Sequence, residues 1–475
     1  MSSVIFLGFA DLLGGPTEGD VSESVYGTWS IAHGNLACIY PPLASHHLND
    51  LANPFALAAP LYPFISGGLA ALLRIGHQVP FPGTSQLGDH CLNAFSAIFK
   101  WSAKSNAILP TIRLSYFVWF VLAAGVILVV RASGRGRSGW EALALVMVAA
   151  TAPVVMCLTY YFHPQDLLAM GLLLACVAAS LRGRWYLAGL LIGLAFCSQQ
   201  FALLVAGPLL VVSPPRDRLR YVIGAVFAVI AIDLPVIIAT SGRGIRTVLF
   251  GSSRVGSNIT SFGGTVLWSM QLHGIALFIL SRVLPIVVAT GIAWWLSNRY
   301  GSALLRPVPI ASVVALSLVM RMVFEENLFG YYFMATAVSL VLLDIVAGRV
   351  RGQTLAWLGL FMAWFNPVHL GLVPNLTSWS VSLSYDIPIA LFAIGALCVL
   401  IDAAQRRVRL YKIAWLVVLA LTRETKLWGL ASPIYIPKYW MLQVVLVVTA
   451  VALTLGPLVE WSKSNPTRGA VSLAV

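Results

Sequence analysis

Asp20, His163, Asp166, Arg321 and Glu325 are residues whose types could take a proton from a hydroxyl or hold a departing anion. A positioned carboxylate accepts the hydroxyl proton as it is lost. Guanidinium groups or N–H donors on the opposite face stabilise the charge on the leaving oxygen. Asp20 stands directly before VSESVYGTWSIAHG (21–34), where it is either a plain helix N-cap or the proton acceptor. Asp11 is its nearest competitor, whereas Glu18 and Glu23 read as solvated. His163 and Asp166 flank Pro164 where a helix restarts. There Asp166 either complements the positive end of the new helix or, with His163, contacts a substrate hydroxyl. Arg321, Glu325 and Glu326 sit at the end of an apolar run. Arg321 and Glu325 have i,i+4 pair spacing, yet charge at a membrane boundary also marks function. Tyr331 and Tyr332 are either interfacial aromatics or part of the same site. The segment GRGIRTVLFGSSRVGSN (242–258) carries Arg243, Arg246 and Arg254 among glycines and serines that could add N–H donors to an anion site. His369 and Lys426 are further candidates, and Asp233 beside Pro235 reads as a buried polar group. No P-loop, GxGxxG, metal-ligand cluster or Ser/His/Asp spacing occurs, so neither a metal nor a cofactor is expected.

The elements that position these residues must lie in a membrane. Of 475 residues, 59% are hydrophobic and 10% charged, with a mean hydropathy of +0.86. A soluble domain carries about 25% charged residues, so this chain reads as an all-α polytopic membrane protein. The net charge of +13 comes from 30 Lys+Arg against 17 Asp+Glu. The basic residues cluster between apolar runs, the pattern that encodes topology, so nucleic acid is not an expected partner.

A spanning helix needs about 20 apolar residues. Such runs lie near 113–131, 140–161, 166–181, 219–240, 270–297, 308–323, 329–347, 354–372, 386–402 and 439–460, with a shorter one at 413–422. The run 186–212 has Ser198-Gln199-Gln200 at its centre and arginines at both ends. If it crosses once, the basic clusters at 131–137 and 182–184 fall opposite those at 216–220, 299–306, 349–351 and 406–412. If it dips in and returns as two half-helices, all six share the cytoplasmic side. The second reading obeys the positive-inside rule, and it implies about 11–13 transmembrane helices.

On that reading 14–112 is a long outer loop with interfacial helices such as 55–73, the span region is 113–461, and 462–475 is a cytoplasmic tail, all in one domain. A helix should precede the outer loop, with only about a dozen residues for it, and is therefore expected to be short or truncated. Cys38 and Cys91 share the outer loop and could pair in an oxidising compartment; Cys157, Cys176, Cys197 and Cys398 lie in apolar runs.

The stretch GDVSESVYGTWSIAHGNLACIYPP (19–42), followed by APLYPFISGGLAALL (59–73), resembles the first outer loop of the GT-C glycosyltransferases. The stretch HPQDLLAMGLLLACVAASLRGRWYLAGLLIGLAFCSQQFALL (163–204) is similar to the polyprenol-phosphate-mannose-dependent bacterial branch of that superfamily. It departs in having Gln199-Gln200 where a lysine is common. RMVFEENLFGYYFMATAVSLVLLD (321–344) is a weaker third match. The resemblance implies a GT-C-like fold in a bacterial plasma membrane, with its site on the outer side. It implies transfer of a sugar, most readily mannose and next arabinose, from a polyprenyl-phosphate donor to a lipid or glycan acceptor with inversion. Asp20 then becomes the catalytic base, and Arg243, Arg246, Arg254 and Arg321 become the donor-phosphate contacts. His163, Asp166, Glu325, Tyr331 and His369 become acceptor or sugar contacts. Membrane lipids are the expected surroundings, and the protein is expected to act as a monomer. The alternative is a transporter or flippase for a polyprenyl-linked or amphiphilic substrate, although the two halves show no internal repeat of the kind many transporters carry.

Overall fold

The computed structural model describes residues 20–40, 59–79, 81, 108–158, 162–240, 274–325, 330–364 and 436–464, and no strand occurs among them. The chain is an all-α polytopic membrane protein. The helices among the described residues are α1 Asp20–Ala32, α2 Leu61–Leu72, α3 Ile108–Leu114, α4 Phe117–Ala132, α5 Ser138–Ala149, α6 Ala152–Leu158, α7 Pro164–Leu181 and α8 Trp185–Phe196. They continue with α9 Leu203–Val212, α10 Pro215–Ala239, α11 Gly274–Tyr300, α12 Pro307–Phe324, α13 Met334–Ala347, α14 Gly352–Trp364 and α15 Ile436–Ser464.

Six helical segments among the described residues are long and apolar enough to cross a membrane: Ile108–Ala132, Pro164–Leu181, Pro215–Ala239, Ile279–Leu305, Pro307–Phe324 and Leu446–Ser464. Five shorter apolar helices accompany them. The runs 386–402 and 413–422 lie outside the described residues. Of the α7 and α12 spans, 83% and 72% is buried, against 17% for α10. The first two therefore form the centre of the bundle and α10 its rim. Val222, Ile223, Val226, Phe227 and Ile230 on α10 are exposed, as suits a face solvated by lipid.

The run 140–161 is not the single helix its hydropathy suggests. It breaks between α5 and α6, and Thr151 caps its own turn by donating to the Val148 carbonyl. Pro153 explains the break. It has no N–H for the Ala149 carbonyl, and its ring occupies the space where that bond would form.

The segment 186–212 is two half-helices, α8 and α9, separated at Cys197-Ser198-Gln199 and joined by a 3-10 turn at Gln200–Ala202. Glycines fix its direction. Gly189 abuts the Tyr221 backbone, and Gly193 abuts Ala225 and Ala228. Backbones pack this closely in membranes because small residues allow it. Positions therefore advance together along α8 and α10, and the two helices start at the same end. In the same way Gly207 abuts Thr290 and the Val211 carbonyl accepts from Ser297 Oγ at 3.5 Å, so α9 runs alongside α11 in the same direction. The hairpin enters and returns.

Gly171 abuts Val121 and Gly125 abuts Leu174, which makes α4 and α7 parallel and puts Arg131 near the level of Arg182. Arg218 donates to the Val211 carbonyl at 3.0 Å. Gly348 abuts the Arg135 guanidinium, Arg351 donates to the Leu453 carbonyl at 2.7 Å, and Tyr300 meets Trp461 edge-on. The basic clusters at 131–137, 182–184, 216–220, 299–306 and 349–351 thus gather at one end of the bundle. The sixth, 406–412, lies outside the described residues.

At the opposite end α1 and α2 form a small unit. Thr28 Oγ1 lies 2.7 Å from Ser66 Oγ, and Trp29 Nε1 donates to Thr111 Oγ1 at 3.0 Å, tying the unit to the first span. Burial raises the Tyr26 and Tyr62 phenols above their ordinary value, so both remain neutral. Cys38 is disulfide-bonded, with its partner outside the described residues. Cys157, Cys176 and Cys197 are free and buried.

Candidate functional site

Four pieces of chain converge at the end of the bundle away from the basic clusters. They are the start of α7, the tip of the re-entrant hairpin, the end of α12 and the turn that opens α13. Arg282, from the first half of α11, completes the group.

The start of α7 presents His163 and Asp166 because Pro164 occupies the first helical turn, where its missing N–H costs nothing. Phe162, just before it, is buried and holds φ at 52°. A bulky residue pays for that conformation, and strain of this kind is retained where the surroundings dictate it. His163 is itself buried. Its Nδ1 lies 3.0 Å from Gln165 Nε2, and its ring stacks on Tyr331 with centroids 3.8 Å apart and planes 16° apart.

The hairpin tip docks on this turn. Ser198 Oγ donates to the Gln165 carbonyl at 2.8 Å, and Gln199 Nε2 donates to Asp166 Oδ1 at 2.6 Å. From the α1–α2 unit, the Leu61 amide donates to the Cys197 carbonyl at 2.9 Å. Asp233 stands on the far side of the tip, where its Oδ2 lies 3.7 Å from Cys197 Sγ.

Glu325, the C-cap of α12, is the centre of the charged group. Arg321 Nε lies 3.2 Å from its Oε2. Arg282 forks onto both oxygens, NH1 to Oε2 and NH2 to Oε1, each at 3.1 Å. The Arg321 guanidinium also lies over the Tyr332 ring, 3.9 Å from its centroid, and 5.5 Å from that of Phe201 on the hairpin. Cation–π contacts gain in strength as water is excluded, and the Arg321 and Glu325 side chains are only 10% and 5% exposed. Arg282 is the more open member at 28%. Two guanidinium groups thus meet on one carboxylate, and Asp166 lies in the same group.

The structure thus brings six of the sequence candidates together: His163, Asp166, Arg321, Glu325, Tyr331 and Tyr332. Asp20 is the first residue of α1, but its side chain lies outside the described part. Arg243, Arg246, Arg254, His369, Lys426 and Glu326 also lie outside the described residues. Sequence reasoning passed over Arg282, although a single arginine inside the apolar run 270–297 was the signal that could have found it. Gln199, at the centre of the run 186–212, is a partner of Asp166. A second buried ion pair, Asp344 with Arg351, lies at the basic end and ties α13 to α15 through the Leu453 carbonyl. Among the described residues no three His, Cys, Asp or Glu side chains come together to hold a metal ion.

No family model matches this chain, and no curated protein matches it. Among solved structures it is similar to the crystal structure of ArnT from Cupriavidus metallidurans bound to undecaprenyl phosphate. The TM-score is 0.45 and the sequence identity 13%, over 96% of this chain and 76% of that one.

Proposed function

We propose that this protein is a GT-C-like membrane glycosyltransferase that moves a sugar, mannose in the leading case, from a polyprenyl-phosphate donor to a hydroxyl of a lipid or glycan acceptor. Its site faces the outer side of a bacterial plasma membrane, opposite the arginine-rich end, which the positive-inside rule assigns to the cytoplasm. The carrying observation is that Arg282 and Arg321 close on a single buried carboxylate at the end of the bundle away from the basic clusters. Paired guanidinium groups suit a phosphate, and their place at the margin of apolar helices suits a phosphate attached to a lipid.

In the reaction the acceptor oxygen attacks the sugar's anomeric carbon as the bond from that carbon to the phosphate oxygen breaks, which inverts the centre. The acceptor proton passes to a carboxylate, for which Asp20 is proposed, and polyprenyl phosphate departs with the bonding electrons. Arg321 and Arg282, joined by Arg243, Arg246 and Arg254 from the segment before α11, hold the phosphate. His163, Asp166, Glu325, Tyr331 and His369 face the sugar or the acceptor. Residues 14–112 form the outer loop, 113–461 the spanning part and 462–475 the cytoplasmic tail of one domain, and the protein acts as a monomer.

The test is the purified protein in detergent with undecaprenyl-phosphate [14C]mannose and a membrane lipid extract as acceptor. Release of undecaprenyl phosphate with label in a new product is the expected result. Arg282→Ala and Arg321→Ala should each weaken donor use tenfold or more, since one bond to a charged group is worth roughly 1.5–3 kcal/mol. One observation favours a second reading. Half-helices meeting at a break are common in transporters, and α8 and α9 have that form. Movement of the labelled lipid across proteoliposomes without release of undecaprenyl phosphate would establish a flippase and overturn the enzyme.

A further inference from the structure

We infer that Gln199, at the tip of the re-entrant hairpin, is a positioning residue that aims the Asp166 carboxylate into the site. The inference rests on the function proposed above. The hairpin is then part of the reaction centre, and not only a device that sets topology.

The amide orientation is fixed by its neighbours. The Gln200 backbone N–H lies 3.0 Å from one end of the Gln199 side chain. A backbone N–H can only donate, so that end is Oε1. The other end is therefore Nε2, and it faces Asp166 Oδ1 at 2.6 Å. Asp166 thus receives a neutral donor, which aligns the carboxylate without cancelling its charge. The charge stays available to a substrate hydroxyl.

The bond is not what holds the hairpin in place. Ser198 Oγ already donates to the Gln165 carbonyl, and the Leu61 amide already donates to the Cys197 carbonyl. Phe201, two residues beyond Gln199, lies beside Arg321. With the tip anchored from three sides, the distinct effect of Gln199 is on the direction of one carboxylate. A lysine at this position would instead neutralise Asp166, so the glutamine is a matter of chemistry as well as of size.

The test compares Gln199→Met, Asp166→Asn, their double variant and the swap Gln199→Glu with Asp166→Asn, each as full-length purified protein. Readouts are the Tm with and without undecaprenyl phosphate, and turnover of undecaprenyl-phosphate mannose. Gln199→Met should lower kcat tenfold or more, leave KM within twofold and preserve the Tm shift given by undecaprenyl phosphate. The double variant should be no slower than Asp166→Asn alone. The swap restores a hydrogen bond between the two positions but moves the charge, so it should fold like wild type and remain inactive. Unchanged kcat in Gln199→Met, multiplicative losses in the double variant, or an active swap would each overturn the assignment and leave the function standing. A wild-type protein with neither a Tm shift nor turnover overturns the function itself, and this inference falls with it.

Discussion

Arg282 grips Glu325 through its two terminal guanidinium nitrogens, each 3.1 Å from a carboxylate oxygen, while Arg321 holds the same carboxylate from one helical turn away. Arg282 and Glu325 are 43 residues apart in sequence, so the fork joins two different helices. One negative charge therefore stands between two positive ones at the margin of the membrane-spanning core. That arrangement ties α11 to α12, and on the function proposed above it also serves as the phosphate site.

Glu325→Gln separates those two roles. Removing one partner of a buried ion pair costs about 3–5 kcal/mol, because the remaining charges stay desolvated. The variant should melt several degrees below wild type. Undecaprenyl phosphate, by supplying the missing negative charge, should raise its Tm by more than it raises that of wild type. An unchanged Tm, with the same response to the lipid as wild type, would show that Glu325 does not hold the arginines in the membrane-embedded protein.

Much of this site was legible in the sequence, for identifiable reasons. His163, Asp166, Arg321 and Glu325 are polar residues at the ends of apolar runs, where their cost marks them out. Arg321 and Glu325 also lie one helical turn apart, so their pairing needs only local geometry. The pairing of Arg282 with Glu325 and of Gln199 with Asp166 depends on which helices are neighbours, and hydropathy carries no such information. The break at Thr151 was hidden for another reason. Pro153 is one apolar residue among many to a hydropathy window, yet it ends a helix by sterics and by a missing donor.

The hairpin makes a topological prediction. Arg184→Cys and Arg218→Cys should both be shielded from a membrane-impermeant maleimide in intact cells, and both should label once the membrane is opened. The reason is that α8 and α10 start side by side, as Gly189 against Tyr221 requires. The native Cys157, Cys176 and Cys197 are buried and should give little background. Labelling of one introduced cysteine without the other would mean that 186–212 crosses the membrane once, and the outer site would have to be reassigned.

Turnover should survive EDTA within about twofold. A guanidinium pair can stabilise the departing phosphate by itself, as preorganised donors do for other developing anions. If EDTA removes activity and Mg²⁺ or Mn²⁺ restores it, Glu325, Glu326 and Asp166 move from substrate contacts to metal ligands. The Arg282–Glu325 fork would then describe only the metal-free protein.

Asp20→Asn should abolish sugar transfer while leaving donor binding and thermal stability intact. Three links lead there. Asp20 opens α1, and α1 is pinned to the first span by Trp29 and to α2 by Thr28, so its backbone position is set. The unit it belongs to also reaches the site, since the Leu61 amide bonds the hairpin tip at Cys197. Finally, Asp20 is the carboxylate proposed above to take the acceptor proton. Asparagine matches aspartate in size and in capping ability but cannot accept a proton, so the substitution isolates chemistry from structure. Loss of a general base costs roughly 10²–10⁴ in rate, and the Tm shift given by undecaprenyl phosphate should stay at its wild-type value. Near-normal turnover in a variant with wild-type Tm would reduce Asp20 to a residue that merely starts a helix. The proton would then have to go to Asp166, whose carboxylate Gln199 already holds in place.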